Sequence, residues 1–151
     1  MRHESILTEL LKTKTFHTYH QTVTTLIGWI EEDEIVYNYH KGFVTREDYR
    51  EHGSKLVEVI KKHSAQRIFN HVVDMQVIPL AEQQWTREVL IPQAIAAGLK
   101  ASAYMVPESV LEQLSVEKLA AAIKEAAQGH FIALPFEDEV KAYEWLQAQK
   151  V

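Results

Sequence analysis

His71 and Asp74 are the pair with the clearest chemical potential in this 151-residue sequence. A carboxylate beside an imidazole fixes its tautomer and raises its pKa, as an acid/base pair requires. The same residues also fit a plainer role, in which Asp74 caps the amides of the following loop and His71 packs within a sheet. The five glycines are scattered singly, so no phosphate-cradling loop accompanies the pair, and neither does a nucleophile or an oxyanion-binding loop. No catalytic residue is therefore expected, and the chain reads as a non-enzyme. Eight histidines stand out. His17 and His20 are three apart, which on a regular strand places them on opposite faces. Neither H-E-x-x-H nor another zinc spacing occurs, and the absence of cysteine excludes thiolate ligands, a cysteine nucleophile and a disulfide framework. No metal and no cofactor are expected. Glu31–Glu34 read as a solvated turn. Trp85 and Trp145 read as core or interface anchors. Trp29, Tyr37 and Tyr39 read as a cross-strand aromatic cluster, which becomes a dimer patch or a ligand wall if helices leave it uncovered.

The elements that hold these residues follow from periodicity. Residues 4–12 place Ile6, Leu7, Leu10 and Leu11 at helical spacing. The Thr-, His- and Tyr-rich stretch after them favours extended structure. Residues 23–30 and 35–41 predict two strands joined by the acidic turn, an antiparallel hairpin. Ile35, Tyr37 and Tyr39 then share one face, and Val36, Asn38 and His40 the other. Thr45, with Asp48 three residues on, caps a helix running to about residue 63, with Lys61, Lys62 and His63 in its last turn. Residues 67–73 form a short, largely apolar strand. A helix over 80–97 follows, kinked near Leu90–Ile91 because Pro92 lacks an amide proton, and Gly98 stops it. Residues 100–106 form a strand. Ser109 with Glu112 caps a single turn, and Ser115 caps a third main helix ending at Gly129. A strand over 130–134 and a helix over 138–149 close the chain.

The order ββαβαβαβα implies an α/β fold with a mixed sheet of about five strands and four main helices. Residues 1–22 are expected as an N-terminal extension, holding a short helix and an extended segment, and residues 23–151 as a single α/β domain. With 16 basic and 21 acidic residues, the formal charge of −5 gives no footprint for nucleic acid. No apolar run reaches the ~20 residues needed to cross a bilayer, and no leader pattern precedes the domain. The expectation is a cytoplasmic protein.

Several residues, taken in order, carry a resemblance. They are a hairpin ending in Gly42-Phe43-Val44-Thr45, a strand ending at Asp74, then Trp85, Pro92, Ala97-Gly98-Leu99, Leu114-Ser115, Phe136-Glu137-Asp138 and Trp145-Leu146. This series resembles the SpoIIAA-like, STAS-type single-domain bacterial proteins over roughly residues 23–148. The resemblance implies a regulatory or binding module, since the best known relatives are anti-sigma-factor antagonists that bind a partner kinase and are switched by phosphorylation at the start of the helix after the central strand. Relatives carry a phosphorylatable Ser or Thr there, where a dianion meets helix amides. The matching stretch, 74–84, contains neither, and its first hydroxyl is Thr86. His71, Asp74 and Trp85 are thus expected to contact a protein partner or small ligand, and Trp29, Tyr37 and Tyr39 to form a homodimer interface. Alternatives are a lipid- or metabolite-binding protein with an apolar cavity, and a small enzyme using His71 and Asp74.

Overall fold

In the computed structural model, which describes residues 2–42, 45–73, 79–106 and 131–149, the expected hairpin is β2 (Thr25–Ile30) paired with β3 (Ile35–Lys41). The chain before it belongs to the same fold. Helix α1 (Arg2–Thr13) sends Leu10 into the core, and β1 (Phe16–Gln21) pairs antiparallel with β2. The sheet therefore has six strands rather than about five, in the spatial order β1 to β6. Residues 16–21 are extended, as expected, but their polar composition gives no sign of a sheet strand, because an edge strand buries too little to need apolar alternation. It covers the outer edge of the hairpin.

Strands β3, β4 (Arg67–Val73), β5 (Ala101–Met105) and β6 (Ile132–Phe136) run parallel. Strand β6 lies about two residues later than expected, with Pro135 tolerated because only β5 pairs with β6 among the described strands. The strands advance in one direction, so the described helices of the β3–β4 and β4–β5 crossovers fall on one face. Helix α2 (Arg46–His63) packs there through Leu56, Val59 and Ile60, with Ile27, Trp29, Val36 and Ile68 beneath it. Thr45 accepts a hydrogen bond from the Asp48 amide at 3.2 Å, as its sequence predicts.

The next crossover begins as α3 (Leu80–Trp85) and ends as α4 (Ile91–Ala96). Between them, Thr86–Leu90 form a π-helical turn in which the Ile91 amide reaches back to the Thr86 carbonyl. Pro92 cannot donate to residue 88, and the wider turn absorbs the resulting misfit. The irregularity expected near Leu90–Ile91 is thus a π-helical turn over the five residues before Ile91. The third main helix and the single turn before it lie outside the described residues.

The opposite face is covered by α1 and α5 (Glu139–Ala148), which bury Ile30, Ile35, Tyr37, Phe69, Tyr143 and Leu146. This arrangement corrects the expected aromatic patch. In the β2–β3 register Trp29 stands opposite Val36, and Gly28 opposite Tyr37, so Trp29 and Tyr37 point to opposite faces. Trp29 is 6% exposed and stacks on His63 of α2, Tyr37 is 0% exposed, and Tyr39 is half-buried against His71. These rings belong to two cores. The homodimer expectation loses the surface on which it rested.

Candidate functional site

Three polar groupings were searched for chemistry, each positioned by the parallel strands and the helices on them. The first contains His71. Strand β3 delivers Tyr37 and β4 delivers His71, both 0% exposed, while Glu139 enters from the first turn of α5. The Tyr37 hydroxyl hydrogen-bonds His71 Nδ1, and His71 Nε2 lies 3.4 Å from Glu139 Oε2. A carboxylate–imidazole–phenol chain is the skeleton of a proton relay. Burial, with the negative charge of Glu139 next, pushes the Tyr37 phenol well above its ordinary value. The hydroxyl therefore stays protonated and donates to Nδ1, which leaves Nε2, on the Glu139 side, as the protonated ring nitrogen. Phe69 and Tyr39 close edge-on over the imidazole, at 5.6 and 5.4 Å between centroids. Tyr37 and His71 are sealed from solvent.

Asp74, the partner expected for His71, lies outside the described residues. Glu139 was missed as a partner because it comes from the far end of the sequence. Only the packing of α5 on the Tyr37 face brings it in.

The second grouping lies on the α2 face. Asn38 and Asn70 are register partners across β3 and β4, and Asn38 Nδ2 donates to Asn70 Oδ1 at 2.8 Å. Asn70 Nδ2 donates in turn to Ser102 Oγ on β5 at 2.8 Å. The ladder begins at His52 of α2, whose Nε2 lies 2.6 Å from Asn38 Oδ1. His40 stands edge-on to His52 at 4.2 Å, and His20 lies 5.7 Å away. A β-bulge between Thr18 and His20 changes the side-chain alternation in β1, so His17 faces with Trp29 and His20 with Ile27. Both histidines therefore lie on the α2 face, contrary to the expectation of opposite faces, because the bulge inserts an extra residue. They still diverge, since His17 pairs with Glu31 at 3.0 Å. Among the described residues, no three His, Asp or Glu side chains are grouped to hold a metal ion.

The third grouping joins the first half of α2 to α3. Glu82 is 2% exposed, yet carries a carboxylate. Arg50 Nε donates to its Oε2 at 2.8 Å, and Arg46 Nε lies 3.4 Å from the same oxygen. Trp85 is half-buried, with its ring against Gly53, where a side-chain carbon would come within 2.8 Å of it. The Arg50 guanidinium covers the indole at 5.4 Å, and Tyr49 meets it edge-on at 6.0 Å. The Tyr49 hydroxyl donates to Thr86 Oγ1 at 2.6 Å, and Thr86 Oγ1 donates to the Glu82 carbonyl at 2.8 Å. The buried carboxylate thus anchors two arginines and a tryptophan that reach the surface.

Because Trp85 is only half-buried, Trp85→Ala is expected to cost about 1.5–2.5 kcal/mol, half of the ~3–5 kcal/mol of a fully buried ring. A urea midpoint measurement checks this. A full-sized loss would place the indole in the core.

No family model, curated protein or solved structure matches this chain.

Proposed function

We propose that this chain is a non-catalytic, STAS-type binding module that docks a protein partner on the face built by the first half of α2 and by α3. The Glu82 anchor is the observation that carries the reading. A carboxylate buried at 2% exposure is costly unless it is paired, and here it orients Arg46 and Arg50 beside Trp85. Trp, Tyr and Arg held in fixed orientations are the residue types that dominate binding energy at interface centres. Leu80, at the start of α3, adds a side chain that is 73% exposed. The resemblance read from the sequence implies a protein partner, and relatives carry their phosphorylation switch at the start of the same helix.

Docking here does not depend on phosphorylation. Thr86, the first hydroxyl after residue 74, is engaged by Tyr49 and the Glu82 carbonyl. The acid/base reading of His71 has less support, because its relay is sealed.

Capture with the tagged protein, compared across variants, tests the proposal. Arg50→Ala and Trp85→Ala are expected to lose a partner at least tenfold while keeping the native circular dichroism. Glu144→Ala, on the exposed side of α5, is expected to retain it. Equal capture by all four proteins, or loss only with Glu144→Ala, contradicts the assignment.

A further inference from the structure

The buried residues of α2 are unevenly distributed along the helix. Leu56, Val57, Val59 and Ile60 anchor its second half, whereas the first half buries only His52 and Gly53. Gly53 contributes no side chain and weakens the helix at that point. The buried contact that holds the first half to the sheet is therefore largely one imidazole, seated on others, while Arg46, Tyr49 and Arg50 tie that half to α3 and the turn after it.

The ladder beneath it fixes the tautomer. Asn70 gives its amide protons to Ser102, and Asn38 gives its own to Asn70. Asn38 Oδ1 is left to accept, so His52 must donate from Nε2. His52 Nδ1 is then a bare lone pair. It is buried with no hydrogen-bond partner among the described residues, and His40 Nδ1 is in the same condition. A proton added to His52 must enter Nδ1, on a ring 4.2 Å from that of His40 and 5.7 Å from that of His20.

We propose that His40 and His52, with the His20 ring beside them, form an acid-operated latch, which holds the first half of α2 on the sheet while His40 and His52 are neutral and releases it when they are protonated. Protonation places like charges side by side where water does not reach them. Solvation of the freed imidazolium groups favours the open state. Tyr49 of α2 faces His40 at 6.3 Å, and its phenol adds no opposing charge. Glu82, the nearby carboxylate on α3, is already paired with Arg46 and Arg50. Burial lowers His40 to about 4. Burial, then the charges of His40 and His20, lowers His52 to about 3. Both lie below the ordinary imidazole value of about 6.5, so the closed state is fully favoured above that pH and weakens as pH falls toward 4. The second half of α2, with its four apolar anchors, stays in place. Gly53 is the pivot. The latch does not rest on the proposed partner, and its test uses none.

Hydrogen–deuterium exchange of the full chain between pH 7 and 4.5, corrected for intrinsic rates, reads the latch directly. Peptides covering 46–54 are expected to lose protection at least tenfold, while 55–63 and 139–148 keep theirs. His52→Gln, which preserves the donor to Asn38 without titrating, is expected to move the transition at least one pH unit lower. Histidine Cε1–H resonances of the wild-type protein give a second reading that needs no variant. Those of His40 and His52 are expected to stay at neutral positions until the 46–54 amides open, then shift with them. Simultaneous loss of protection in all three regions, unchanged protection of 46–54 down to pH 4.5, or either imidazole titrating near 6.5 with 46–54 closed overturns the latch.

Discussion

Tyr37→Ala is expected to lower the unfolding free energy by about 4–8 kcal/mol, the largest single loss on the α5 face. About 3–5 kcal/mol of this follows from removing a fully buried ring and leaving a cavity. That ring stacks on Phe69 at 5.4 Å and meets Phe16 edge-on at 5.9 Å. The remainder comes from His71 Nδ1, which loses its hydroxyl donor in a site with no solvent. Tyr37→Phe separates the two contributions. It keeps the packing and is expected to cost only about 1–3 kcal/mol, the penalty for one orphaned buried acceptor. Chemical denaturation of both variants measures the split. A Tyr37→Phe protein as stable as the parent would mean that the Tyr37–His71–Glu139 chain does not serve to hold the fold.

The second large effect is centred on Asp33, in the turn between β2 and β3. Tyr143 of α5 donates to Asp33 Oδ2 at 2.5 Å, Gln147 reaches Oδ1 at 3.3 Å, and Lys14 lies 3.3 Å from Oδ2. Arg67 completes the junction. Its Nη2 donates to the Asp33 carbonyl, and its Nη1 to carbonyls at the C-terminal end of α5. Asp33→Ala strips the buried Tyr143 hydroxyl of its acceptor and is expected to cost about 2–3 kcal/mol, the range for a hydrogen bond to a charged group. Burial opposes ionisation of Asp33, but hydrogen bonds from Tyr143 and Gln147 and the charge of Lys14 outweigh it, so the carboxyl titrates below its ordinary value. A depressed carboxyl stabilises the fold above the unfolded value of about 3.9, and this contribution is lost as pH falls below it. The parent is therefore expected to lose stability below about pH 4 in a step that Asp33→Ala lacks. The histidine contribution is common to both proteins, so the difference between their urea midpoints across one pH series isolates the Asp33 step. A step of equal size in both proteins would remove Asp33 from the junction.

Local chemistry made much of the fold legible. Thr45 and Asp48 announced the start of α2, Pro92 announced the irregularity before Ile91, and alternation placed Asn38 and His40 opposite Tyr37. Alternation states which residues share a face, but not which of two covered faces each receives. With helices on both sides, Trp29 and Tyr37 are both internal, and an aromatic cluster read along the hairpin does not exist in space. The β-bulge in β1 reversed the expected relation of His17 and His20, and nothing in their spacing announces it. The site was legible only in its members. His71 and Trp85 were singled out for their types, but Glu139, Glu82 and Arg50 come to them from other elements. Only the register of β3 against β4 aligns Asn38 with Asn70.

The central claim is that the first half of α2 and α3 form a docking face, and site-specific photo-crosslinking tests it most directly. A photoreactive residue at position 84, exposed on α3, is compared with one at position 144, exposed on α5. The same partner band is expected from position 84, lost when Arg50→Ala is added, with none from position 144. A band from position 144 alone, or one from position 84 that survives Arg50→Ala, would contradict it.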